Sequence, residues 1–396
     1  LSKPPQPKKI PKVHIAHGDE RIDDYYWLRD DTRKDPEVIS YLEAENQYLE
    51  DWFAANHDCR QEIYEELVSF IPPKEVSMKI KYGAYLYFSE ITSDQQYKTY
   101  YRELDGNKEL VLDVNAMAEG LEYFNIASVV PSSDNLLIAY AEDLSGRREY
   151  NIKVKDLASG EIIDSTIQNS SGSVVWDKQN TSIYYAQKDP VTLIENKVFK
   201  HKLGTDSSED VLIYEEKDSE FHLSIYESRT KKYLNIYISK TEASETWLLD
   251  LDDETSKPFC VLARSDKHLY SVEDTPECFY AISDANDKKN FTLLKFSLSQ
   301  INAYESWETV IEHSSAVLIE DFEAFSNYLY LEVRVDGLPK ILKMHRNTLD
   351  KHYIEFSEPA FSCYLATNND YFSEDFYYGY SSPKKPSSIF KEEIAS

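Results

Sequence analysis

At 396 residues the chain exceeds the roughly 250 to 300 at which one hydrophobic core stops growing, so two domains or a modular repeat are expected. Its 43 Lys and Arg stand against 71 Asp and Glu, and a formal charge of −28 at pH 7 repels nucleic acid and anionic membrane surfaces and excludes both as partners. No apolar run approaches the roughly 18 residues of a membrane span, and Cys59, Cys260, Cys278 and Cys363 are too sparse for a zinc ribbon or a disulfide framework.

The first residues have a basic, proline-rich start without the apolar run of a secretory signal. Four thiols point to the cytoplasm; Leu1 is not an initiator Met, which implies an upstream segment and leaves the periplasm open. Pro4, Pro5, Pro7 and Pro11 stand among lysines and predict an extended arm. His14, His17 and Asp19 follow, but no second ligand cluster lies at zinc-site distance, so neither a metal nor another cofactor is expected. Asp35 before Pro36 is an N-cap and first-turn pair, and Val38, Leu42, Leu49, Trp52 and Phe53 recur at helical spacing, predicting an amphipathic helix over 36–55. Ile63, Leu67 and Phe70 predict a second helix from about Asp58, stopped by Pro72 and Pro73.

From residue 74 the texture changes to tyrosine-rich, β-branched runs such as Tyr85–Phe88, Leu136–Tyr140 and Tyr328–Leu331. Polar turn clusters, among them 132–135, 177–180 and 286–289, punctuate these runs without intervening helices, which is the rhythm of antiparallel hairpins. A weak repeat of strand, aromatic end, charged strand and turn recurs at 150–161, 245–255 and 291–300. Dividing residues 74–396 by seven gives about 46 per unit, within the roughly 40 to 50 of a propeller blade. The fold class read from this is mainly β, a seven-bladed β-propeller preceded by a short helical N-terminal extension; six or eight blades, or a pair of sandwiches, fit the arithmetic as well.

No catalytic residue is assigned. A nucleophile elbow needs G-x-S-x-G, and the nearest string, Gly379-Tyr380-Ser381-Ser382-Pro383, lacks the closing glycine and reads as a turn. Walker, Rossmann and H-E-x-x-H patterns are missing too, and Asp250–Glu254 lacks the central glycine and late glutamate of a calcium loop. Arg147 and Arg148 beside Glu149 form a dibasic loop that is either a solvated turn or a contact for another domain.

The segment HGDERIDDYYWLRDDTRKDPEVISYLEAENQY at 17–48 is far more specific, and with it the chain resembles the oligopeptidase B branch of the prolyl oligopeptidase family. The likeness continues through DVNAMAEG at 113–120, VVWDKQNTSIYYAQKDPVTL at 174–193, RVDGLP at 334–339 and YGYSSPKKPSSIF at 378–390.

The resemblance implies a serine peptidase that cleaves short basic peptides after Arg or Lys, with a seven-bladed propeller limiting access by size. It implies that residues 1–73 are the arm and helices that pack on a C-terminal α/β-hydrolase domain, that 74–396 are the propeller, and that the Ser, Asp and His of catalysis lie on the hydrolase domain, outside this chain. Glu122 and Arg148 match charged positions that resemble interdomain salt-bridge candidates, while a nearby acidic position reads Ser171-Gly172 here, which alters any network at that point. The competing expectation is a stand-alone propeller that binds peptides or proteins without catalysis.

Overall fold

The computed structural model describes residues 3–394; Leu1, Ser2, Ala395 and Ser396 lie outside the described residues. The chain divides into two compact units, one of residues up to Glu75 with Thr92–Asp94, the other of Val76–Ile91 with residues from Gln95 onward.

The smaller unit opens on a hairpin, Lys12–Ala16 paired with Asp19–Asp23. His17 and Gly18 make its two-residue turn with φ of 55° and 81°, and Val13, Ile15 and Ile22 supply the β-branched content. Helix α1, Pro36–Ala55, starts where Asp35 accepts the Glu37 amide at 2.8 Å, and α2, His57–Ser69, follows after Asn56. The expected extension is thus corrected in kind: it is a hairpin, a short 3-10 turn at Tyr26–Leu28 and then two helices, not simply helical. The alternation around His17-Gly18 competes with the proline-rich reading and wins locally because a two-residue turn pairs its flanking strands at once.

The larger unit is nearly all antiparallel strand. Its sheets run in sequence order: sheet 1 between Ile80 and Asp113, sheet 2 from Asn125 to Glu215, sheet 3 from His222 to Leu262, sheet 4 from Tyr270 to Ile311, sheet 5 from Val317 to Tyr353 and sheet 6 from Ser362 to Glu393. Seven separate blades are not present. Five sheets have four or more strands and sheet 6 has three. The reason is the 15-residue strand Ile162–Trp176, which pairs with Tyr150–Asp156 through its first part and with Ser182–Lys188 through its second. A register break between Ser170 and Val174 turns the strand without ending its pairing, so seven strands join into one sheet.

Packing is between sheets. Val175, Tyr184 and Val198 of sheet 2 meet Leu223, Ile225 and Leu234 of sheet 3 in one cluster. Tyr233 and Leu248 of sheet 3 meet Tyr270, Phe279 and Phe296 of sheet 4 in another. Second strands such as Leu137–Asp143 are therefore covered on both faces and read as apolar runs, whereas Tyr150–Asp156 alternates. Each fully buried Leu or Ile at such a contact stabilises the ring by about 2 kcal/mol. No helix among the described residues is long and apolar enough to cross a membrane.

Candidate functional site

The first strands of sheets 3 to 6 end together. Strand His222–Glu227 buries Leu223 and Ile225 on one side and exposes His222, Ser224 and Tyr226 on the other, then turns at Ser228–Lys232. Strand Tyr270–Asp274 ends in Glu273 and Asp274, strand Val317–Ala324 carries Asp321 and Glu323, and Ser362–Leu365 leads into Asn368. Tyr226, Glu227, Arg229, Glu273, Asp274, Glu323 and Asn368 line a cavity of about 310 Å³ where these ends converge.

Charge at this point is concentrated. Arg229 Nη1 lies 3.4 Å from Glu323 and 3.9 Å from Glu273, and its Cζ stands 4.3 Å from the centre of the Phe325 ring. All three guanidinium nitrogens are shut off from solvent with no hydrogen-bond partner among the described residues, so the arginine is held by charge and by the ring face. The carboxylates are held by backbone and amide: Glu273 accepts the Ala324 N–H at 2.6 Å, and Glu323 accepts from Asn368 Nδ2 at 2.8 Å. Asn368 is fixed in turn, since its amide group both donates to the Tyr377 carbonyl at 2.9 Å and accepts the Tyr377 N–H at 2.8 Å.

Burial pushes Glu273 up to about 7 and Glu323 up to about 8, with Arg229 pulling each back. Burial likewise raises Glu227, Asp274 and Asp321. The like charge of Glu273 adds to the rise at Glu323. Tyr226 keeps 42% of its surface open and lines the cavity, and burial raises its phenol above the usual range. The arrangement gathers carboxylates around one arginine and can attract a cationic group, and the Thr230 hydroxyl donates to Asp274 at its edge.

Glu122 and Arg148 lie elsewhere. Glu122 is exposed in the turn before strand Asn125–Pro131, and Arg148 is exposed in the loop after Leu137–Asp143; Asn125 pairs with Asp143, so the sheet brings both residues to one end. That end is opposite the hairpins between first and second strands. No ion pair joins the two among the described residues. Arg148 takes φ of 58°, donates its amide to Asp143 at 2.8 Å and lends its carbonyl to Lys188 Nζ at 2.7 Å, and among the described residues its guanidinium makes no ion pair. Gly172 has φ of 95°, and a Cβ there would stand 2.9 Å from Ala127 Cβ and 3.0 Å from the Tyr150 ring, which explains why no acidic side chain occupies this point. Ser381 sits within strand Asp375–Ser382 opposite Ser362. The acidic cavity was missed by motif search because its members are dispersed; the one local signal is an acid at the end of several first strands.

Comparison with known proteins bears on family and fold. Residues 4–396 match the family described as "Prolyl oligopeptidase, N-terminal beta-propeller domain". Among curated relatives, Protease 2 of Moraxella lacunata is 31% identical and Dipeptidyl aminopeptidase BI of Pseudoxanthomonas mexicana 30% identical, each over 98% of this chain and 56% of its own length. Oligopeptidase B from Leishmania major superposes with a TM-score of 0.93 at 28% identity, covering 100% of this chain and 59% of that one. Oligopeptidase B from Trypanosoma brucei, with covalently bound antipain in a closed form, superposes at 0.90 with 26% identity, again over 100% of this chain and 59% of that one. The chain thus spans little more than half the length of these relatives.

Proposed function

The chain belongs to the prolyl oligopeptidase family as its N-terminal propeller portion, and from that premise we propose that it filters substrate for a serine peptidase that cleaves short peptides after Arg or Lys in the cytoplasm. The observation that carries the reading is the match to Protease 2 and to the two oligopeptidase B structures over nearly the whole chain. A C-terminal α/β-hydrolase domain supplies the nucleophile and base, and the ring of sheets admits only chains thin enough to pass.

Two features support a partner domain. Leu42, Leu49 and Trp52 of α1, Ile63 and Leu67 of α2, and Phe70 just after it are between 42% and 72% exposed, many large apolar side chains for a surface in contact with water alone. Arg148 is exposed at the end of sheet 2 where Glu122 also lies, so charges of both signs stand there for contact with another domain. The carboxylates around Tyr226 and the net charge of −28 favour basic peptides over acidic ones. A second reading, removal of dipeptides from peptide N-termini, is favoured by the likeness to the dipeptidyl aminopeptidase of Pseudoxanthomonas mexicana.

The deciding experiment mixes this chain with a separately produced hydrolase domain and measures release from chromogenic peptides with Arg, Lys or Pro before the scissile bond. Arg and Lys cleavage on mixing, with none from the chain alone, supports the first reading. Release of dipeptides from free N-termini, lost when the N-terminus is blocked, replaces it with the second. Saturable peptide binding by this chain with no cleavage in any mixture returns the stand-alone binding module.

A further inference from the structure

The turn Ser228–Lys232 belongs to sheet 3 but touches four other sheets. Lys231 Nζ stands 3.9 Å over the ring of Tyr82 in sheet 1. Thr230 Oγ1 donates to Asp274 of sheet 4. Arg229 meets Glu323 of sheet 5 and the Phe325 ring that follows it, and its carbonyl accepts the amide of Tyr371, in the connection between the first two strands of sheet 6, at 3.2 Å.

In a ring of sheets, a turn at the rim of sheet 3 reaches its neighbours 2 and 4. Contact with 1, 5 and 6 as well requires the turn to cross the central opening. The crossing is supported by the turn's own geometry: Lys231 takes φ of 62° and returns its N–H to Ser228 at 2.8 Å, which projects residues 229–231 forward from the strand ends. Behind it lies the acidic cavity, with Tyr226 open on its wall.

The contacts that hold the turn across the opening are of a reversible kind. One backbone hydrogen bond reaches that connection in sheet 6; the rest are a hydroxyl on a carboxylate, two cations over aromatic rings, and an arginine near carboxylates without a directed hydrogen bond. By contrast, strands within each sheet are joined by continuous ladders, as Tyr233–Lys240 is to Ala243–Asp250. The turn can therefore leave its seat without unzipping a sheet.

We propose that Ser228–Lys232 is a gate that closes one end of the central opening, seated by Arg229 on Glu273 and Glu323 and by Lys231 on Tyr82. The gate fixes which end of the ring admits a ligand. This concerns the ring alone and does not depend on the peptidase reading, so its test uses no substrate.

The test replaces Tyr226 by cysteine (Y226C) in the full chain and compares its labelling by a small maleimide and by a maleimide on a bulky polymer, the site being read by peptide mass. With the gate seated, the bulky reagent reacts far more slowly than the small one. Adding R229M, or separately T230V with K231A, raises the bulky-to-small rate ratio about tenfold, as loss of one or two seating contacts shifts a two-state equilibrium. The second combination leaves the buried carboxylates with their arginine and decides the matter if R229M does not fold. A ratio near one in Y226C alone, or a ratio unmoved by T230V with K231A in a protein that melts like its parent, overturns the gate.

Discussion

His201 Nδ1 and Asp210 Oδ1 meet at 2.6 Å within sheet 2, and both side chains are shut away from solvent. The other ring nitrogen, Nε2, lies 3.0 Å from Asp164, so one imidazole is clasped by two carboxylates. Asp164 is held by the Gly204 amide at 2.6 Å and Asp210 by the Tyr185 hydroxyl at 2.8 Å. Burial by itself lowers the His201 pKa, but the hydrogen bonds and charges of Asp164 and Asp210 outweigh it and raise the group above its ordinary value. The clasp ties Ile162–Trp176 to Glu195–Lys202 and to the turn at Ser207–Glu209, across the point where the long strand changes partners.

Replacing this imidazole should cost more than any surface change. His201→Ala leaves two buried carboxylates facing each other, and the expected loss is about 3 kcal/mol, as for breaking one partner out of a buried ionic group. Because the folded pKa of His201 is raised, its contribution is complete below the unfolded value and is lost as pH rises through the folded one. The wild-type unfolding midpoint should fall from pH 6 to pH 9 more steeply than that of His201→Asn. Asp164, lowered by the same contact against the opposing effect of burial, works in the other direction and loses its contribution only under acid. Parallel slopes for the two proteins would show that folding does not raise the imidazole's pKa.

Gly172 should not tolerate a side chain. Its φ of 95° is adverse to L-residues, and the added methyl meets Ala127 and Tyr150 in a packed contact where Ser128 Oγ already donates to the Gly172 carbonyl at 2.6 Å. Gly172→Ala is expected to destabilise the chain by about 2 kcal/mol, measured by urea unfolding at constant m.

Asp35 caps α1 through the Glu37 amide at 2.8 Å. Asp35→Ala should remove about 1 kcal/mol from the helix, and Asp35→Ser should retain most of it. Hydrogen exchange in the first turn of α1 reads the difference; equal exchange in all three proteins would show that neighbouring turns alone hold the end.

Arg148 carries its structural role on the backbone, through Asp143 and Lys188. Arg148→Glu should therefore shift stability by less than about 0.5 kcal/mol, while weakening association with a hydrolase domain several-fold at low salt. Unchanged affinity would remove Arg148 from the interface.

Much of the secondary structure is legible in the chain. The Asp35-Pro36 start and the apolar spacing place α1 over Pro36–Ala55, and Tyr-rich runs such as Tyr328–Leu331 lie in strands, because caps, turns and side-chain periodicity act over a few residues. The sheet count was not legible. Whether Ile162–Trp176 ends at the bulge or continues depends on partners that lie on both sides of it in sequence, and averaging residues over seven units cannot detect a strand shared by two.

The clusters with the most chemistry were also hidden, for a related reason. Arg229, Glu273 and Glu323 lie 44 and 50 residues apart along the chain, and Asp164, His201 and Asp210 are likewise spread. Composition and local pattern determined that this would be an acidic, antiparallel, tyrosine-rich protein with two helices near its start, the first of them capped. Which of its many carboxylates are forced up towards neutrality, and which arginine they surround, only the tertiary structure decided, because desolvation and Coulomb attraction depend on distance in space and on what displaces the water between charges.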